Sequence, residues 1–157
     1  MSAWTPLWQD YRYDARDRLD GDLDVEVCVI GAGIGGISTA WHLARHGVRA
    51  TVLDARTAGS GASGRNGGFL IAGTAPFHNE ARHLFGHDIA RRIRAATLDA
   101  QREVLDIADS LGAGDLFQRR GSMRLAVDAE ESADLLDDLA TLHEDGFAAE
   151  LVTGDDL

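Results

Sequence analysis

A glycine motif between an apolar strand pattern and a helical pattern constrains the fold of this chain most strongly. Residues 25–30 are β-branched and nearly all apolar, which is typical of a buried parallel strand. They lead directly into Gly31-x-Gly33-x-x-Gly36, and apolar side chains then recur at helical spacing over residues 37–44. Residues 49–54 have the pattern of a second strand. The sequence therefore predicts a β-α-β unit of about 30 residues.

The glycine spacing and an acid at the end of the second predicted strand are typical of a dinucleotide-binding unit. Gly31 permits a tight turn, Gly33 lets the backbone approach a pyrophosphate, and Gly36 lets helix and strand pack closely. The helix N-terminus offers N–H groups and a positive dipole end to the phosphates. Asp54 is expected to accept hydrogen bonds from the adenosine ribose hydroxyls, and its charge disfavours the 2′-phosphate of NADP. A chance glycine-rich turn is disfavoured because motif, strand, helix and acid agree.

A second glycine cluster favours FAD over NAD. Residues 58–68 hold five glycines and two serines, so they are predicted to form a loop. An NAD domain needs no second phosphate loop directly after its second strand, whereas an extended chain crossing the longer FAD molecule suits residues 62–68. Ser63 and the backbone amides can donate to phosphate, and Gly67 and Gly68 would let the chain pass close to the flavin.

The remaining periodicity predicts elements that would begin a second sheet. A helix is predicted over residues 89–111, and Asp128 with Glu131 forms an Asp variant of the capping box at the start of another. The residues expected to point inward from this last helix are Leu135, Leu139 and Leu142. The residues expected to end the predicted helices are Gly47, Gly112 and Gly146. Strands are predicted at residues 69–72, 121–127 and 148–152.

Composition excludes several classes of partner. Arginine supplies all 15 basic charges against 26 acidic ones, which gives a net charge of −11 and disfavours nucleic acid and anionic lipid. No apolar run is long enough for a membrane span, and residues 1–24 lack the apolar core of a secretory signal. A cytoplasmic protein is predicted. The single cysteine, Cys28, excludes a disulfide within the chain and is expected to be an inert residue buried in the first strand.

Other polar residues are weaker candidates for chemistry. His42/His46 and His83/His87 are spaced to share a helix face, but zinc needs a further ligand that the sequence does not place. His42 and His46 are predicted at the surface. Arg119 and Arg120 are expected at an exposed strand end rather than as a carboxylate site. Arg65 and Asn66 fit either a loop-fixing role or a flavin contact.

The two glycine-rich segments resemble those of a known enzyme family. The resemblance is carried by VCVIGAGIGGISTAWHLARHGVRATVLDA and by GSGASGRNGGFL. These segments are similar to the FAD-dependent amino-acid and amine oxidoreductases of the D-amino-acid oxidase/glycine oxidase superfamily, above all to γ-glutamylputrescine oxidase-like members. The resemblance implies FAD as cofactor, a small-molecule amine or amino acid as substrate, an imine as product of hydride transfer to the flavin, and oxygen as acceptor.

Carried over residue by residue, the resemblance also implies the cofactor site. Ile34 and Gly35 fall at the pyrophosphate, and Asp54 and Ala55 fall at the adenosine end. The full set of candidate cofactor-binding residues is Gly31, Gly33, Ile34, Gly35, Gly36, Asp54, Ala55, Arg56, Ala62, Ser63, Arg65, Asn66, Gly67, Gly68 and Phe69. No catalytic residue and no metal ligand is assigned.

The predicted fold class is α/β, with a Rossmann-like FAD-binding β-α-β unit and the beginning of a second, substrate-binding α+β domain. Residues 1–24 are expected to form an N-terminal arm, 25–76 the FAD-binding unit with its glycine-rich loop, and 77–157 a helix of the FAD domain with part of the substrate domain. Because members of the family are much longer, the chain is expected to be an N-terminal fragment that folds marginally and lacks turnover alone. A truncated, non-catalytic FAD-binding remnant and an NAD-linked Rossmann protein are the alternatives.

Overall fold

The computed structural model describes Pro6 and residues 16–154. The aromatic residues of the predicted arm, which are Trp4, Trp8, Tyr11 and Tyr13, lie outside the described residues. The chain divides into two compact units between Phe69 and Leu70. In the described part of the chain, no helix is both long and apolar enough to cross a membrane.

The first unit contains the predicted β-α-β arrangement. Strand β1 (Val27–Ile30) pairs in parallel with strand β2 (Ala50–Leu53), and helix α1 (Ile34–Arg45) connects them. Val29 lies opposite Val52 in the ladder. Helix α1 ends as predicted, because Gly47 takes a φ of +77° and donates its N–H to the carbonyl of Ala44 over 3.0 Å.

Two side chains of strand β1 are exposed, and the prediction of a buried Cys28 is wrong. Successive side chains of a strand point to opposite faces. Val29 lies on the face that α1 covers, whereas Cys28 and Ile30 point the other way and are exposed. The apolar stripe expected on α1 is likewise only partly covered, since Trp41 is half-buried and Ile37 is exposed.

The regular secondary structure described in the second unit is helical. It contains α2 (His78–Phe85), α3 (His87–Ser110) and α4 (Ala129–Glu144). Helix α3 matches the long predicted helix, and Gly112 follows its end with a φ of +69°. The buried residues combine small apolar side chains with polar ones, namely Ala81, Ala90, Ala108, Leu142, His78, Asn79 and Asp138.

Helix α4 begins at the predicted cap. The Oδ1 atom of Asp128 accepts a hydrogen bond from the N–H of Glu131 over 2.8 Å. The Oε2 atom of Glu131 reaches back to the N–H of Val127 over 3.0 Å rather than to that of Asp128. Of the residues expected to point inward, Leu142 is buried, and Leu135 and Leu139 are half-buried. Gly146, with a φ of +80°, follows the helix end.

Replacing Asp128 by alanine is expected to lower the free energy of unfolding by about 1 kcal/mol, because the N–H of Glu131 loses its acceptor. Urea denaturation monitored by circular dichroism measures this change. Asp106→Ala is the matched control, since it removes the same charge from an exposed position within α3. Equal destabilisation by the two variants would contradict the capping role.

Three predicted strands are absent from the described residues. Segments 69–72, 121–127 and 148–152 have no partner in a ladder, and the described sheet contains only β1 and β2. A strand requires a hydrogen-bonded neighbour, and an apolar pattern alone does not provide one. Segment 121–127 instead lies alongside α4, where Arg124 pairs with Asp134 and stacks 3.5 Å from the ring centre of Phe77. The predicted second α+β domain stays a prediction.

Candidate cofactor-binding site

The first glycine loop is held tightly against the sheet. Gly31 has a φ of +98°, which favours glycine, and donates its N–H to the carbonyl of Leu53 over 2.7 Å. A Cβ atom added to Gly36 would lie 1.8 Å from the carbonyl oxygen of Gly31 and 3.4 Å from a methyl group of Val29. Only glycine fits at position 36 with this backbone, and this is the close helix–strand packing that the motif predicts.

The second glycine loop reaches the N-terminus of α1. The hydroxyl oxygen of Ser63 accepts a hydrogen bond from the N–H of Ile34 over 2.8 Å. The N–H of Gly59 donates to the carbonyl of Ala32 over 2.9 Å. These two bonds join the loops within the first unit. The backbone bond between Gly59 and Ala32 could not be predicted from the sequence, because it depends on loop conformation alone.

The first turn of α1 remains accessible beside this contact. Gly33 is the N-terminal cap and has no side chain to occupy the site, while Ile34 and Gly35 are exposed. A Cβ atom on Gly35 would meet no atom within 4 Å. Because the first N–H groups of a helix have no partner within the helix, this end can bind an anion such as a pyrophosphate.

Asp54 lies at the end of β2 and contacts the first glycine loop. Its Oδ2 atom accepts from the N–H of Ala32 over 2.7 Å, and its Oδ1 atom accepts from the N–H of Arg56 over 2.8 Å. These bonds, the one from Ala32 first, lower the pKa of the carboxyl below its ordinary value of 3.8. An ionised carboxylate accepts about four hydrogen bonds, so Asp54 retains capacity for ribose hydroxyls. Ala55 and Arg56 are exposed beside it.

Replacing Asp54 by asparagine is expected to weaken FAD binding about ten-fold, because an amide cannot accept on both sides as the carboxylate does. Quenching of flavin fluorescence during titration measures the affinity. With its pKa lowered, the wild-type carboxylate contributes at neutral pH and loses its contribution only as pH falls below 3.8. Asp106→Asn, on α3, is the charge-matched control. If Asp54→Asn left FAD occupancy unchanged but greatly lowered the rate of flavin reduction, Asp54 would have a role other than binding the ribose.

Side chains within the second loop fix its conformation. A short 3₁₀ turn covers Ala62–Gly64. The side-chain amide of Asn66 donates to the carbonyls of Ala62 and Ser63, and its oxygen accepts from the N–H of Gly68 over 2.8 Å. The Nε atom of Arg65 donates to the carbonyl of Ser60 over 3.0 Å. Of the two roles left open by the sequence, these contacts favour loop fixing.

The end of the second loop exposes an aromatic ring. A Cβ atom on Gly67 would lie 3.0 Å from the ring of Phe69, so the ring rests on the glycine backbone. Gly68 has a φ of +75°, and the side chain of Phe69 is 83% exposed. The structure therefore brings the two glycine loops and the end of β2 together in one unit, with Phe69 at its edge.

The histidine pairs form no shared ligand set. His42 and His46 are exposed, as predicted, and His83 and His87 lie on two different helices. The described residues contain no group of three side chains arranged to hold a metal. Arg119, also an exposed residue, lies 3.8 Å from the carboxylate of Asp109.

The sequence did not reveal a buried carboxylate in the second unit. The side chain of Asp145, only 1% exposed, accepts from Nε2 of His78 over 2.7 Å and contacts Nε2 of His87 at 2.5 Å. Burial opposes its ionisation, but the two histidine hydrogen bonds lower its pKa below the ordinary value. Asp145 thereby ties the end of α4 to the starts of α2 and α3, which is a structural role.

Comparison with known proteins identifies the family of the chain. A family model described as FAD dependent oxidoreductase matches residues 26–157. The chain is 36% identical over 91 residues to the "Probable oxidoreductase OrdL" of Rhizobium meliloti (strain 1021), covering 58% of the chain and 21% of that protein. It is 39% identical over 82 residues to the gamma-glutamylputrescine oxidoreductase of Escherichia coli (strain K12). This match covers 52% of the chain and 19% of that protein. The chain thus spans about a fifth of the length of these relatives. No solved structure matches it significantly.

Proposed function

This chain belongs to the family of FAD-dependent oxidoreductases, and from that membership we propose that it forms the FAD-binding part of an enzyme that oxidises an amine or an amino acid. One observation carries the proposal. The hydroxyl of Ser63 bonds to the N–H of Ile34, so two glycine-rich loops meet at one helix N-terminus. A single pyrophosphate loop would suffice for a dinucleotide in general, whereas a second loop at the same place suits the longer FAD molecule.

The residues present fit FAD by their chemistry. The N–H groups of the first turn of α1 that follow Ile34, together with the hydroxyl of Ser63, supply donors for a pyrophosphate. The ionised carboxylate of Asp54 supplies acceptors for ribose hydroxyls. Glycine at positions 33, 35 and 67 keeps side chains away from the cofactor. When bound, FAD supplies the hydride acceptor for oxidation of the substrate carbon.

The substrate class is proposed from relatives. The gamma-glutamylputrescine oxidoreductase of Escherichia coli carries an amine substrate in its name, and it shares 39% identity with the chain over 82 residues. Oxidation of such a carbon yields an imine, which water hydrolyses, and we propose oxygen as the electron acceptor. No residue of this chain is assigned as catalytic, because the contribution proposed for it is binding of the cofactor.

The experiment uses the longest product of the reading frame that contains these residues, loaded with FAD. Amines, amino acids and, as a control class, 2-hydroxy acids are added without oxygen, and loss of the flavin's visible absorption is followed. Hydrogen peroxide is measured after oxygen is admitted. We expect reduction by at least one amine or amino acid, with peroxide formed. Reduction of the bound flavin by 2-hydroxy acids, but by none of the amines or amino acids, would contradict the substrate assignment.

A further inference from the structure

Asn66 uses every polar atom of its side chain inside the second glycine loop. Its Nδ2 atom donates to the carbonyl of Ser63 over 2.9 Å and to that of Ala62 over 3.2 Å. Its Oδ1 atom accepts from the N–H of Gly68 over 2.8 Å. The side chain therefore connects the start of the 3₁₀ turn to the glycine pair that ends the loop.

Ser63 is the residue through which Asn66 can act on the site. The carbonyl of Ser63 is bonded to Asn66, while its hydroxyl oxygen accepts from the N–H of Ile34 over 2.8 Å. A serine hydroxyl has one hydrogen and two acceptor positions. Since the bond to Ile34 uses an acceptor position, the hydroxyl hydrogen remains available as a donor to an anion beside the helix N-terminus.

We propose that Asn66 is a positioning residue for the FAD site, acting through Ser63 rather than by contact with the cofactor; this inference rests on the proposed function. A loop with five glycines in eleven residues loses much conformational entropy when it becomes ordered. Bonds that order the loop before FAD arrives reduce the cost of binding. Asn66 makes such bonds at both ends of the segment that contains Ser63.

The residue type matters because asparagine supplies donors and an acceptor together. Aspartate at this position would keep the acceptor for Gly68 but would place a charge against the carbonyls of Ala62 and Ser63. Alanine would remove both sets of bonds. Asn66→Asp is therefore expected to impair the loop as much as Asn66→Ala does, although it preserves the size of the side chain.

The test has two readouts. FAD affinity is measured by fluorescence titration for Ser63→Ala, Asn66→Ala, Asn66→Asp and the double variant Ser63→Ala/Asn66→Ala. Hydrogen exchange of the N–H groups of Ile34 and Gly68 is measured without FAD. Ser60→Ala is the matched control, because Ser60 lies in the same loop and its hydroxyl makes no hydrogen bond among the described residues.

We expect each single variant to weaken FAD binding about ten-fold, and the double variant to be little weaker than Ser63→Ala. Both Asn66 variants should accelerate exchange at Ile34 as well as at Gly68, whereas Ser63→Ala should accelerate it chiefly at Ile34. Additive losses of affinity with unchanged exchange at Ile34 would overturn the inference and indicate direct contact with FAD. If the wild-type protein binds no FAD, the proposed function fails, while the exchange comparison still decides whether Asn66 positions Ser63.

Discussion

Replacing Gly36 by alanine is expected to abolish FAD binding and to destabilise the first unit by about 3 kcal/mol or more. The added Cβ would lie 1.8 Å from the carbonyl oxygen of Gly31. This carbonyl belongs to the backbone of Gly31, which has a positive φ and donates its N–H to Leu53. The carbonyl therefore cannot move without disrupting the connection between β1 and α1. Thermal unfolding of the protein without FAD measures the loss of stability, and a fluorescence titration measures the loss of binding.

Gly35→Ala is the matched control for stability. Gly35 lies in the same first turn of α1, but a Cβ atom there would meet no atom within 4 Å. Because alanine is the better helix former, this variant should unfold no more easily than the wild-type protein. Equal melting temperatures for Gly36→Ala and Gly35→Ala would contradict the close packing at Gly36.

Replacing Gly33 by valine is expected to weaken FAD binding at least about 100-fold while leaving the β-α-β unit folded. A Cβ atom at Gly33 would already lie 3.2 Å from the hydroxyl oxygen of Ser63, and the valine methyl groups add further bulk. Ser63 would have to leave the N–H of Ile34, which separates the two loops and removes donors from the phosphate site. Because the atom that the valine would meet belongs to the side chain of Ser63 on a loop, the loop can move without unfolding the β-α-β unit. The same movement would disrupt the cofactor site.

The control for this prediction is a smaller change at the same position. Gly33→Ala adds only the Cβ, which a shift of a few tenths of an ångström in Ser63 can accommodate, so its effect on FAD affinity should lie well below that of Gly33→Val. Circular dichroism checks that both variants keep the wild-type helix content. A folded Gly33→Val variant with wild-type affinity for FAD would contradict the placement of the pyrophosphate at this loop.

Features set by local rules could be predicted from the sequence. The strand, glycine motif, helix and second strand follow in the order that is typical of a parallel β-α-β unit. Gly47 and Asp128 mark helix ends because positive φ and side-chain capping are properties of single positions and their nearest neighbours. The requirement for glycine at position 36 also follows from the motif, since the helix and strand that meet there are adjacent in the chain.

Features that depend on distant partners could not be predicted in the same way. Cys28 has apolar neighbours in sequence, but its burial depends on residues distant in the chain, and the residue is exposed. Residues 121–127 have the composition of a strand, yet strand formation requires a neighbour. The bond between Ser63 and Ile34 depends on how the second loop folds, which a glycine-rich sequence leaves undetermined.

The most direct test of the central claim is a calorimetric titration of the flavin-free wild-type protein with FAD, and separately with NAD. FAD is expected to bind with one molecule per chain and to retain its affinity in the presence of excess NAD. Gly33→Val, measured in parallel, should show no binding heat with FAD. Saturable binding of NAD by a folded protein that does not bind FAD would contradict the assignment of these two glycine loops to an FAD site.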